Sequence, residues 1–212
     1  AMPEDRKELS RAIRQCEHLG ETSDGKHIYL YLHKGSSVIM REIGRLREIA
    51  FRAVGEGTLQ RRDIDRYDNH YYHLILWDDK DLEIVGAYRF GDAQRLSQPD
   101  HQTGLYSATL FEYAKDNPAL FEEGLELGRS FVQPRYWGKR SLDYLWFGIG
   151  AFLTRYQHYR YLFGPVSLSN SYPQPAKQLI VQFYQTYFPA RFGEAKAKIP
   201  FTVPSDSLKA FS

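Results

Sequence analysis

Apolar positions recur along the chain with helical and strand spacing, broken by one long polar tract. From Lys7 to Leu19 they fall every three or four residues (Leu9, Ile13, Cys16, Leu19), predicting a surface helix or an approach to the core. Ser23-Asp24-Gly25 reads as a turn, and the aromatic and β-branched run His27 to Leu32 as a strand. Ile39, Ile43, Leu46, Ala50 and Ala53 predict an amphipathic helix from Ser36 to Ala53, with Ser36 or Ser37 as its cap. The polar tract, Gly55 to Asn69, is dense in Arg and Asp. Two strands follow, Tyr72 to Trp77 and Glu83 to Arg89, and the short link Asp78-Asp79-Lys80-Asp81 makes them a hairpin.

Gly91 to Thr103 reads as a loop and Leu105 to Tyr113 as another strand. Asn117-Pro118 opens a short helix, with Pro at its tolerated first position. Leu125 to Val132 is a strand, and Ser141 to about Tyr156 a helix apolar nearly all round, hence buried on more than one side. Tyr159 to Ser167 is a strand, and Pro175 to Phe188 an amphipathic helix carrying Leu179, Ile180, Phe183 and Tyr187. The order predicts a mixed α/β sheet with one parallel crossover near its middle. The expected organisation is a single domain: residues 1–35 as an N-terminal helix and first strand, 36–200 as the core, 201–212 as a tail. The tail is expected to lead into a longer protein, and Ala1-Met2 reads as a cloning remnant.

Composition adds bounds. The chain has 212 residues, enough for one full core, with 42% apolar and 25% charged residues. Sixteen Tyr, 13 Phe and 3 Trp supply packing area and material for an apolar groove. A net charge of +2 does not imply nucleic acid. The one cysteine, Cys16, excludes an internal disulfide and fits a reducing compartment. No Cys/His group has metal-ligand spacing, so no metal is expected. The first twenty residues are charged throughout, unlike a secretory signal. The most apolar run, Tyr144 to Leu153, falls well short of the roughly 20 residues a spanning helix needs.

Chemistry gathers between Glu126 and Trp146. The strand carries Glu126 and Arg129 among apolar neighbours, and the turn after it holds Arg135, Gly138, Lys139 and Arg140, with Ser141 as N-cap of the next helix. A helix N-terminus behind basic residues suits a phosphate or pyrophosphate. Six cations from Arg129 to Arg160 face only Asp143 in that stretch, so the chain's positive charge is concentrated there. Its bland alternative is a solvated loop. A carboxylate, a strand and an anion cradle in series suggest a group-transfer site.

The element order resembles the GNAT fold, an acyltransferase fold that binds a pantetheine thioester in the splay between its fourth and fifth strands. Val132-Gln133-Pro134-Arg135-Tyr136-Trp137-Gly138-Lys139 is similar to the GNAT pyrophosphate loop. Arg140 and Leu142 replace the two later glycines of a coenzyme A loop. That departure resembles acyl-homoserine lactone synthases and the ornithine-lipid N-acyltransferases with their putative-hemolysin relatives, which take acyl chains from acyl carrier protein. The longer matches, Leu46 to Arg52, Gly86 to Arg89, Glu126 to Val132 and Tyr161 to Ser167, favour the ornithine-lipid group. The tryptophan expected of lactone synthases between the first helix and the aspartates is absent from Ala53 to Arg62.

The resemblance implies roles for residues. Glu126 would be the general base that relieves an amine of its proton, since an ammonium near pKa ~10 is protonated at neutral pH. Its alternative is a structural ion pair with Arg129 or Arg89. Arg129, catalytic with Glu126, would form with Arg89 and Arg47 a cationic set around Asp65, Asp68 and Glu126, and Arg47, Phe51, Asp65, Asp68 and Arg89 would bind an amino-acid acceptor such as ornithine; Asp65 and Asp68 could equally cap a helix or hold a turn. Backbone N–H groups near Phe131 and Val132 would stabilise the oxyanion. Tyr184 would protonate the leaving thiolate, or serve as a core aromatic.

The resulting expectation is an N-acyltransferase moving a (3-hydroxy)acyl chain from acyl carrier protein to an amino acid, toward an aminolipid. Its donor is a phosphopantetheine thioester (or acyl-CoA), with no tightly bound cofactor. The acidic carrier protein would be steered by the basic rim. The location expected is the cytoplasm, with peripheral contact at the inner membrane through the lipid product. The rival readings are a lactone synthase, an acetyl-CoA-dependent N-acetyltransferase, and a GNAT-like binding module without catalysis. His27, His33, His70, His73 and His158 form no triad by spacing, and Cys16 is not expected to be a nucleophile.

Overall fold

The computed structural model describes residues 1–33, 35–98, 104–114, 118–169, 171–189 and 195–201. The chain opens with α1 (Arg6–Ile13), capped by the Asp5 carboxylate, which accepts from the Lys7 and Glu8 N–H groups. The predicted helix thus ends before Cys16. Residues beyond it form β1 (Glu17–Glu21), a strand the helical spacing had masked. The turn at Gly25 then leads into β2 (His27–Leu32).

Helix α2 (Val38–Ala53) starts at Ser37, whose hydroxyl accepts from Ile39 and Met40, as predicted. Its apolar face packs on one side of the sheet with Ile75, Trp77 and Ala87. Strands β3 (Tyr72–Asp78) and β4 (Glu83–Asp92) form the expected hairpin, running three residues longer at the end of β4. A short helix α3 (Ala93–Leu96) occupies part of the predicted loop, whose residues 99–103 lie outside those described.

The strand predicted over Leu105 to Tyr113 is mostly a 3-10 turn (Ser107–Thr109), and only β5 (Phe111–Tyr113) is extended. Its N–H groups serve a buried carboxylate described below. Helix α4 (Pro118–Glu122) follows; Asn117 lies outside the described residues. Then come β6 (Gly124–Val132), α5 (Ser141–Arg155), β7 (Tyr161–Phe163), α6 (Gln174–Tyr187) and β8 (Ala195–Ala197).

The main sheet runs β1-β2-β3-β4-β6-β7, antiparallel except for the parallel pair β6–β7. The parallel crossover therefore lies at one edge, not near the middle. β5 and β8 make a separate two-stranded sheet. Leu145, Ile149 and Phe152 of α5 cover the second face. Leu142, Trp146 and Phe147 stay exposed, so α5 buries one side only, and its apolar circumference misled the prediction. Helix α6 has no buried residue. No helix among the described residues is long and apolar enough to cross a membrane.

β6 and β7 pair over three residues, Gly124–Glu126 against Tyr161–Phe163. Beyond them Gly164 sits against the Leu127 carbonyl, where a Cβ would lie 2.0 Å from that oxygen. Past Gly128, where an added Cβ would meet nothing within 4 Å, the strands part. Replacing Gly164 by Ala should push this junction open and lower stability by about 1–3 kcal/mol, read by urea denaturation. An unchanged midpoint would refute the close approach.

Candidate active site

The space between the parted strands is a cleft of about 540 Å³, lined on one side by Leu127 to Ser130 and on the other by Pro165 to Ser167. Phe51, Glu56, Tyr88, Tyr106 and Leu110 complete its wall. A second hollow of about 380 Å³ shares Ser130 and runs to the basic turn, lined by Phe131, Val132, Gly138, Lys139, Ser141 and Leu142 among others. The strand–turn pair predicted from the sequence thus frames one continuous edge of the protein.

Arg129 stands at the bend of β6. The pairing with β4 passes from Ala87–Phe131 to Arg89–Gly128, which places an extra residue in β6, a β-bulge. Arg129 takes the left-handed conformation there (φ 50°), unfavourable for a residue with a Cβ by about 1–2 kcal/mol. Its guanidinium is one-quarter exposed and lines the cleft. Asp63 Oδ2 lies 3.7 Å from one terminal nitrogen and Asp65 Oδ2 3.5 Å from the other. The rings of Tyr106 and Phe51 lie 5.5 and 6.0 Å from its centre.

Behind it is a buried ion network. Arg47 donates to both Asp68 oxygens and to the Asp63 carbonyl, and Arg89 donates to Asp68 Oδ1 (3.1 Å) and Asp65 Oδ1 (2.7 Å). Asp65 also caps the 3-10 turn Arg66–Asn69 through the Tyr67 and Asp68 N–H groups, while Asp68 Oδ2 accepts from the Asp65 N–H. The capping alternative read from the sequence is therefore realised, alongside the arginine pairing. Burial pushes the Asp68 carboxyl up, but the Arg47 and Arg89 charges outweigh it and hold it below the usual range. Asp63, which sequence reasoning passed over, is buried and raised by desolvation; its Oδ2 accepts no hydrogen bond. Only its place two residues before Asp65 could have drawn notice.

Glu126 is 2% exposed and absent from the cleft wall. It accepts from the Tyr71 hydroxyl and from the Tyr106 and Ser107 N–H groups, the last at 2.6 Å. The alternative ion pair with Arg129 or Arg89 is not formed, and the carboxylate of the expected general base does not line the cleft. What it does is pin the turn that carries Tyr106, whose ring lies 5.5 Å from both Arg89 and Arg129.

The remaining expectations divide. Phe131, Val132, Gly138, Lys139 and Ser141 come together at the second hollow. Ser141 is the first helical residue and not the cap; Arg140 holds the cap position without a side-chain hydrogen bond. Arg140 points outward toward Asp143, 3.7 Å away. Arg135 turns from the hollow to the β3–β4 link, paired with Asp81 and Glu83 at 2.6 and 2.7 Å. Tyr184 is 58% exposed on α6, against Phe183 and Phe188, and is neither core aromatic nor part of either hollow. Burial pushes the Cys16 thiol up to about 11, which suppresses its thiolate.

Residues 46–147 match the family of the acetyltransferase (GNAT) domain. The fold is of the GNAT type. Among curated proteins, the chain is similar to a glycine N(alpha)-acyltransferase of Phocaeicola vulgatus, 36% identical over 76% of this chain and 53% of the relative. It is also similar to one of Bacteroides thetaiotaomicron, 35% identical over 86% of this chain and 58% of the relative. An L-ornithine N(alpha)-acyltransferase of Brucella abortus is 29% identical over 68% of this chain and 60% of the relative. The chain spans little more than half the length of these relatives. No solved structure matches it significantly.

Two tests follow from the network. Asp68→Asn leaves two buried guanidiniums short of a counter-charge and should cost about 3–5 kcal/mol in urea denaturation. A loss below ~1 kcal/mol would contradict the network's role. His73 is buried beside Asp68, and desolvation lowers it to about 4. Its folded form resists a proton that the unfolded chain takes up below ~6.5, so stability falls as pH drops from there toward 4, by about 3 kcal/mol. His73→Gln should remove that part of the pH dependence, measured by denaturation at pH 7 and pH 5.

Proposed function

We propose that the protein is an N-acyltransferase that moves an acyl chain, (3-hydroxy)acyl in type, from a phosphopantetheine thioester to the α-amine of an amino acid. The observation that carries this is the cleft opened where β6 and β7 part, with Arg129 at its bend and a hollow continuing to Lys139 and Ser141. The geometry suits a thioester arm laid along the β6 edge, with its phosphate end toward the first turn of α5. The names of the similar proteins support an amino acid as acceptor, and those at the higher identities are glycine acyltransferases. Glycine and ornithine share the α-ammonium and carboxylate that this cleft would read.

The donor read from the basic turn is acyl carrier protein. Lys139 remains beside the hollow while Arg140 points toward Asp143 and Arg135 is spent on Asp81 and Glu83, so the steering charge is smaller than the sequence count suggested. The product, an N-acyl amino acid, is an intermediate of aminolipid type whose chain would seek the membrane.

Chemically the protein's part is positional. Holding an amine beside a thioester carbonyl gives the advantage of proximity, and backbone donors on β6 beside Phe131 and Val132 would bear the negative charge that develops on oxygen. Incubation of the purified protein with acyl carrier protein or coenzyme A thioesters and glycine or ornithine should release free thiol and yield the N-acyl amino acid by mass spectrometry. No release with any donor by a folded protein would sink the reading; release only with acetyl-CoA would turn it into an acetyltransferase.

A further inference from the structure

Two charged side chains line the 540 Å³ cleft, Glu56 and Arg129. Their signs are opposite, and only Arg129 already has counter-charges, in two long ion pairs with Asp63 and Asp65. The Glu56 carboxylate forms no ion pair or hydrogen bond among the described residues. Arg129 stands 3.5 and 3.7 Å from its two aspartates, beyond hydrogen-bond length, and its Nε has no partner. Of the other acids nearby, Asp65 and Asp68 are occupied by Arg89, Arg47 and the 3-10 turn, Glu126 by three donors, and Asp63 is buried and absent from the cleft wall. The local fold fixes where Glu56 stands. Gly55, at φ 78°, ends α2 in the left-handed conformation, and the Glu56 N–H donates back to the Phe51 carbonyl at 2.8 Å. Phe51 lines the same cleft.

We propose that Glu56 receives the ammonium of an α-amino acid acceptor while Arg129 takes its carboxylate. The assignment rests on the N-acyltransferase reading and replaces Glu126 as the acid that meets the amine. A zwitterion supplies one anion and one cation to a cleft offering one of each. The ammonium gives one proton to Glu56, which passes it to water. The freed nitrogen lone pair attacks the thioester carbon, so that a C–N bond forms and the C–S bond breaks. Sulfur leaves with the bonding electrons and takes the second nitrogen proton, giving amide and thiol. Glu126 acts one layer back, through the Tyr106 turn.

The test compares wild type, Glu56→Gln, Glu56→Asp and Arg129→Gln with glycine and glycinamide as acceptors, together with calorimetric glycine binding that does not need turnover. Melting curves establish which variants are folded. Glu56→Gln should raise the acceptor KM tenfold or more for both acceptors and leave the donor KM within twofold, with Glu56→Asp recovering part of the loss. Arg129→Gln should penalise glycine tenfold and glycinamide no more than twofold. Wild-type transfer with an unchanged acceptor KM in Glu56→Gln overturns the proposal alone. Glycine binding that Glu56→Gln abolishes, without transfer by the wild type, sustains the acceptor site and overturns the acyltransfer reading. Neither binding nor transfer overturns both.

Discussion

The structure depends on the pairing of Arg47, Asp68 and Arg89 in the dry interior. Three guanidiniums and three carboxylates within one cluster are costly to remove from water, and their mutual attraction offsets that cost only while the geometry is kept. The cluster draws the polar tract of residues 55–69 onto α2 through the Asp63 carbonyl and N–H, the latter bonded to the Gly44 carbonyl. A segment with little apolar surface of its own is thereby ordered. Its order sets one wall of the cleft, because Asp63 and Asp65 flank Arg129.

A division of labour among the acids follows. Glu126, in the middle of the most distinctive sequence motif, satisfies backbone donors and a tyrosine. Glu56, in a stretch without a motif, lines the cleft. A buried carboxylate held by three donors, two on one oxygen and one on the other, is well suited to anchor the turn it binds. The resemblance pointed to the strand and bend that border the cleft, while the side-chain environment separates an acid that holds a turn from one that lines the cleft.

How far the chain could be read from its sequence varies with the physics involved. Helix α2 was legible in full because spacing and cap agreed, and the β3–β4 hairpin because a short polar link joined two apolar runs. The GNAT-type arrangement was legible from element order and from the turn after β6. Strand β1 was not, since His18 to Gly20 lacks alternation and gains its extended form by pairing with β2. The exposed side of α5 was hidden by composition: Trp146 and Phe147 look like core residues, but the sheet covers only half the helix. Arg135 and Tyr184 were misplaced because distant partners, or their lack, set a side chain's direction, and spacing carries no record of either.

The left-handed conformation at Arg129 has a thermodynamic consequence. A long cation ordinarily surrenders much rotamer freedom when it grips an anion, and that loss is charged against affinity. Here the bulge aims the side chain and the flanking rings and acids confine it, so most of the ordering is completed as the chain folds. A ligand of the proposed kind would meet a guanidinium whose direction is already set. Strain in one peptide unit has been exchanged for readiness at the cleft.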